Sequence, residues 1–201
     1  MKSQIVAVAA LCLTLAACKS ETTDGLPATE TTGTSQSPST ATSDPSTTAA
    51  SGGTSSTASP EDKEFVSQAG MAGLAEVQMG NLALQKAQHA DVKAFAQRML
   101  TDHTKSNEEL VQLTTAKGLT LPAQLDGEPK AGLDHLMALS GAAFDKAYME
   151  HMVADHGKAV SLFQTAANGA QDADIKAFAA KTLPTLQEHA TLAGEVSAKV
   201  K

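Results

Sequence analysis

The sequence predicts an all-α fold, a bundle of four long helices, and three observations carry that expectation. Residues 60–201 are rich in Ala, Leu, Gln and Lys, with a single Tyr, no Trp and few β-branched runs. Within them apolar side chains recur three and four residues apart, the period of a helix buried on one face. Cap and stop signals then divide the segment into four long stretches. At about 140 residues the segment suits one domain with a sizeable core.

The first boundary is Ser59-Pro60-Glu61-Asp62, which reads as an N-cap, a proline at the first helical position and acid in the first turn. The first helix runs from there to about Ala87. Asp91 is placed to cap the second, which stops at Lys117-Gly118, a basic residue followed by a helix-ending glycine. The third long helix runs from about Gly141 to Ala167 and ends at Asn168-Gly169. The fourth starts near Asp172 or Asp174 and continues almost to the end, with Pro184 inside it, where a kink is expected.

The connections are uneven. Those within each pair of helices are a few residues long, which makes each pair an antiparallel hairpin. Leu119 to Ser140, between the pairs, hold Pro122, Gly127, Pro129 and a short helix at Ala131–Ala138. Two hairpins joined by one long crossover are the ferritin-like arrangement. Asp91-Val92-Lys93-Ala94-Phe95-Ala96 is also echoed by Asp174-Ile175-Lys176-Ala177-Phe178-Ala179, as a duplicated hairpin would give.

Residues 1–17 read as a lipoprotein signal peptide. Lys2 supplies the positive start, and Ile5 to Leu15 form an apolar run too short to span a bilayer. The run ends in Leu15-Ala16-Ala17-Cys18, which resembles the bacterial lipobox and makes Cys18 the acylated residue. Lys rather than Asp at position 19 favours the outer membrane, with the domain facing the periplasm. Residues 18–59 are Ser, Thr, Ala, Gly and Pro with little that is apolar, the composition of a disordered tether. The only other cysteine, Cys12, leaves with the signal, so no thiol remains for a disulfide, a zinc site or a nucleophile. The net charge of −7 and the scattered basic residues argue against nucleic-acid binding.

One ten-residue phrase occurs twice, as Ala94-Phe95…Met99…Asp102-His103 and as Ala147-Tyr148…Met152…Asp155-His156. Its spacing puts aromatic, Met and His on one helical face. Projected the same way, the first helix turns Glu76 inward and the last turns His189 inward. Each of Glu76, His103, His156 and His189 lies near the middle of its helix, and mid-length positions of antiparallel helices meet at one level.

One carboxylate and three imidazoles suit a transition metal such as copper, zinc, iron or manganese. Asp102, Asp155 and Glu188, each just before a histidine, are placed to support the rings or reach the site. Tyr148 and the thioethers of Met99 and Met152 lie a turn or two away, and sulfur near imidazole shifts the preference toward copper. The paired Glu-x-x-His motifs of di-iron carboxylate bundles are missing, which argues against oxygen activation. The competing reading is structural: a buried Glu–His or Asp–His cluster also satisfies itself by hydrogen bonds and fixes helix register. His89 and His135, in the connections, are expected to face solvent. An enzyme ranks third, because the chain has no Gly-x-Ser-x-Gly, phosphate loop or cysteine nucleophile.

Phe65-Val66, Leu74-Ala75-Glu76-Val77, Asp91 to Ala96, Met99-Leu100-Thr101-Asp102-His103, Ser140 to Asp145 and Leu183-Pro184-Thr185-Leu186-Gln187-Glu188-His189 together resemble the DUF4142 proteins of bacterial envelopes. The likeness covers residues 62 to 196 in order. It implies a ferritin-like bundle and an envelope location, and it transfers no activity and no ligand. Met149-Glu150-His151-Met152…His156 is locally similar to the Met/His helices of another ferritin-like envelope family linked with copper. The function expected is therefore that of a membrane-anchored, non-enzymatic binding or envelope-stress protein. The alternative is a structural or protein-interaction module.

Overall fold

The computed structural model describes residues 58–200, so the signal peptide, Cys18 and all but the last two residues of the tether lie outside the described residues. Five helices and no strands occur among the described residues: α1 (Pro60–Lys86), α2 (Ala90–Lys117), α3 (Gly127–Ala138), α4 (Gly141–Gly169) and α5 (Ala173–Ser197). No helix there is long and apolar enough to cross a membrane.

Helix ends follow local chemistry, with two departures from expectation. At α1 Ser59 is the N-cap as read, and Asp62 completes a capping box that was not foreseen: the Asp62 amide donates to Ser59 Oγ at 3.0 Å, and the Ser59 amide donates to Asp62 Oδ2 at 3.1 Å. At α2 the N-cap is His89 rather than Asp91, its Nδ1 accepting from the Asp91 amide at 3.2 Å. Asp91 sits in the first turn instead, held by Lys199 at 2.8 Å. His89 is accordingly half-buried, while His135 is exposed as expected. The crossover helix begins at Gly127, earlier than Ala131, because Pro129 falls in its first turn, where a missing amide costs nothing. Pro184 is exposed and α5 runs unbroken past it.

Gly118 ends α2 with φ 66°, and its amide reaches back to the Thr114 and Thr115 carbonyls. A side chain is strained in that left-handed geometry. Gly118→Ala should therefore lower stability by about 1 kcal/mol in denaturant titration. An unchanged midpoint would show that the turn has an alternative path.

Polar ties fix the directions of the helices. Lys117, at the end of α2, bridges Asp172 and Asp174 at the start of α5 at 2.7 and 2.8 Å. Lys199, beyond the end of α5, holds Asp91 at the start of α2. Helices α2 and α5 are thus antiparallel. Helix α1 packs on α2 and α4, and α5 packs on α4 and α2, so α2 and α4 lie across a diagonal. The link from α2 to α4 must run the length of the bundle, and α3 lies along this path, packed on α1 and α4.

Two buried aspartates join the hairpins. Asp62 near the start of α1 accepts the Gln171 and Asp172 amides of the α4–α5 turn, both at 3.1 Å. Asp145 near the start of α4 accepts the Gln88 amide at 3.0 Å and the His89 amide at 2.8 Å in the α1–α2 turn. The two aspartates are 83 residues apart, as are Gln88 and Gln171, His89 and Asp172, and Phe95 and Phe178. The internal echo therefore extends from the opening of two helices to a reciprocal pair of ties between duplicated hairpins. Apolar packing forms two clusters, one around Phe95, Phe144 and Tyr148 and another around Phe65, Phe163 and Phe178. Between them lies a layer that is not apolar.

Candidate metal centre

That layer consists of Glu76 from α1, His103 from α2, His156 from α4 and His189 from α5, all buried. The three rings stand with centroids 5.2, 5.4 and 5.7 Å apart. One nitrogen of each ring lies within 4.8 Å of those of the other two. Ligands around a tetrahedral ion with metal–nitrogen bonds of about 2.0–2.1 Å sit roughly 3.4 Å apart, so holding an ion would draw the rings together by up to about 1.4 Å.

Each ring has one nitrogen engaged. His103 Nδ1 donates to Glu76 Oε2 at 2.8 Å, and His189 Nε2 donates to Asp102 Oδ2 at 2.8 Å. His156 Nδ1 donates to the Met152 carbonyl, one turn back, at 2.9 Å. A carbonyl or carboxylate only accepts, so the proton of each neutral ring belongs on the engaged nitrogen and the lone pair on the other. The nitrogens left are His103 Nε2, His156 Nε2 and His189 Nδ1, and none of them has a hydrogen-bond partner. Glu76 Oε1 and the Tyr148 hydroxyl are also buried without one. Glu76 Oε1 lies 3.5 Å from His156 Nε2.

The electrostatics divide the rings: they leave His189 neutral, whereas at His103 they favour the imidazolium, whose Nε2 proton an arriving ion would displace. Burial is the largest single influence on Glu76 and opposes its ionisation, but the charge and hydrogen bond of His103, with the charges of His156 and His189, together bring its pKa down to about 2. Burial lowers the His103 pKa, and the charge and hydrogen bond of Glu76 overcome this and raise it. Burial lowers His189, the Asp102 bond offsets part of that, and its two histidine neighbours deepen it to about 4. At neutral pH the His189 ring is therefore neutral and able to offer a lone pair. Burial, with the Glu76 charge, holds the Tyr148 hydroxyl well above its ordinary range, so it remains a donor.

The structure thus brings together the four residues expected from the sequence. Among the expected supports, Asp102 fixes His189, Met152 supplies its carbonyl, and Met99 and Tyr148 are buried nearby in the apolar cluster. Asp155 and Glu188 are not brought to the cluster. A helix turns each successive residue by about 100°, and the residues before His156 and His189 leave the inward face. Asp155 lies beside His151, 2.8 Å from its Nε2. Glu188 is exposed and pairs with Arg98 at 2.7 Å. Sequence reasoning missed Asp62 and Asp145, although their 83-residue separation, shared with the two Ala-Gln turns, was a usable signal.

The duplication makes the centre one-sided. The positions 83 residues from Glu76, His103, His156 and His189 are Ala159, Leu186, Gly73 and Ser106. A two-metal centre symmetric about the hairpin pair would need ligands at those positions, and Ala, Leu and Gly supply none. The donor set fits one ion.

A family model described as a domain of unknown function, DUF4142, matches residues 46–196. The chain belongs to that family. Solved structures of similar fold include a DUF305 fragment from Deinococcus radiodurans, at 14% identity and a TM-score of 0.63, with 71% of this chain and 98% of that one covered. A putative secreted DUF305 protein from Streptomyces coelicolor matches at 12% identity and 0.60, covering 70% and 93%. CopM in its Cu(II)-bound form matches at 16% identity and 0.58, covering 70% and 97%. At these identities the likeness establishes the helical bundle of this DUF4142 chain and nothing about its ligand. Comparison with curated proteins gives no match.

Proposed function

We propose that this chain is a non-enzymatic metal-holding protein. His103, His156 and His189 bind one divalent transition ion, copper or zinc, with Glu76 fixing one ring and offering its free oxygen. The observation that carries this is the set of three buried ring nitrogens without hydrogen-bond partners, on rings whose other nitrogens are all engaged. In a self-satisfied structural cluster these atoms would be paired with one another, since buried polar atoms are rarely left alone. Imidazoles fixed through their second nitrogen are also the usual form of metal-ligating histidine. Imidazole suits both ions, and Cu(II) stands highest in the general order of affinity. The CopM structure shares this fold and carries Cu(II), which supports including copper among the probes. The same proposal places the domain on the outer membrane through a lipid on Cys18, facing the periplasm, as the lipobox-like run and tether indicate.

The experiment is a titration of the chelator-treated protein with Cu(II), Zn(II), Fe(II) and Mn(II), read by bound metal and by thermal unfolding. One ion per chain is expected for Cu(II) or Zn(II). Free metal at a hundredfold excess over Kd should add about 2.7 kcal/mol of stability. No ion bound and no thermal shift with any of the four would leave the structural reading in its place.

Asp102 has a graded role. It holds the His189 ring but does not face the ion, so Asp102→Ala should weaken metal binding about 10–100-fold without abolishing it. Calorimetric titration measures this, and an unchanged Kd would show that packing alone orients His189.

A further inference from the structure

A cleft of about 290 Å³ opens between α1 and α4 near the start of α3. Its lining includes Glu76 from the buried layer as well as Met71, His151, Asp155, Glu128 and Lys158. Side-chain exposure rises outward through these groups, from 4% at Glu76 to 21% and 28% at His151 and Asp155, then to 60% and 78% at Lys158 and Glu128. A graded path therefore leads from the surface to Glu76, a buried carboxylate whose Oε1 has no partner. On the other side of Glu76, the space beside His103 measures about 20 Å³, room for about one water.

The wall of the cleft holds a pair with unusual geometry. His151 Nε2 lies 2.8 Å from Asp155 Oδ2, yet no hydrogen bond is aligned between them and Nε2 is buried without a partner. The ring is lodged against α3 at Gly132, where even a Cβ would come within 2.5 Å of it. A fixed ring nitrogen beside a carboxylate oxygen is a two-point donor set for a transition cation. At the rim, Lys158 bonds Glu128 at 2.6 Å and lies 3.8 Å from Asp155, so its ammonium occupies the place of an arriving cation.

We propose that this cleft is the route by which the ion reaches the three imidazoles, and that His151 with Asp155 captures it at the mouth. The inference rests on the metal-holding reading above. A capture pair speeds passage in both directions and leaves the final equilibrium alone. Charge lining a cleft changes entry rates by about 10–1,000-fold, so even its lower bound is easily measured.

The test is stopped-flow uptake of Cu(II) or Zn(II) by the full chain, with release to excess chelator and an equilibrium Kd. His151→Gln with Asp155→Asn should slow uptake and release together, by about tenfold or more, with one ion still bound and Kd unchanged. Lys158→Gln should speed uptake. A third variant, Ala72→Phe, obstructs the cleft with no change of charge and should also slow both rates. Wild-type rates in the His151/Asp155 double variant overturn the route while leaving the three-histidine centre standing. Loss of the bound ion in that variant overturns it too, because the pair then belongs to the centre itself. No binding by the unaltered chain removes the metal-holding reading, and the route falls with it.

Discussion

Replacing His156 with alanine is expected to abolish binding of one ion per chain while leaving the bundle folded. His156 is fully buried, and its unpartnered Nε2 lies 3.5 Å from Glu76 Oε1. Losing one of three nitrogen donors should reduce affinity by more than the about 10–100-fold typical of a supporting residue such as Asp102. His89→Ala is the matched control, because His89 caps α2 at the end of the bundle and faces none of the three rings. Calorimetry and metal analysis read the outcome. Wild-type stoichiometry in His156→Ala would show that the ion, if any, sits elsewhere.

The second large effect concerns stability. Asp145→Ala would leave the Gln88 and His89 amides of the α1–α2 turn without their acceptor. Each part-buried amide so stranded costs up to about 1–3 kcal/mol, so the variant should lose about 3 kcal/mol, or roughly 10 °C in Tm. Asp62→Ala should do at least as much, because Asp62 accepts from Ser59, Gln171 and Asp172. Asp62→Asn keeps an acceptor oxygen and should recover part of the loss. A shift of less than about 2 °C in Asp145→Ala would mean that the turn amides reach water and that packing alone joins the hairpins.

The fold was legible because its signals are local and repeated. Ser59 and Gly118 mark helix ends through backbone chemistry that depends on a few neighbouring residues. The hairpin order followed from the lengths of the connections. Where the reading slipped, two local signals competed: His89 took the cap position that Asp91 also suits, and Pro129 could either break a helix or open one.

The candidate site was legible to the level of its four inward residues, because helical periodicity fixes which side chains share a face. It does not fix which nitrogen of a ring is engaged. That depended on Asp102 reaching across from α2 to α5 and on a backbone carbonyl of Met152, neither of which leaves a trace in spacing. The same limit misplaced Asp155 and Glu188, which adjoin their histidines in sequence but lie off the inward face. Asp62 and Asp145 were hidden for a further reason: a first-turn acid on a helix reads as an ordinary cap, and only the fold brings it to the other hairpin's turn.

The duplication also bears on the chemistry. Ferritin-like carboxylate bundles place Glu-x-x-His pairs on two helices. Here the second half carries Ala159 and Leu186 where the first has Glu76 and His103. The result is a single buried donor set between two apolar clusters, an arrangement suited to holding an ion.

The most direct test is X-ray absorption at the metal edge of the protein loaded with one equivalent of Zn(II) or Cu(II). Three imidazole nitrogens at about 2.0–2.1 Å around a single ion are expected, with imidazole scattering reduced in His156→Ala. An all-oxygen shell, or a spectrum the same in His156→Ala as in the unaltered protein, would contradict it.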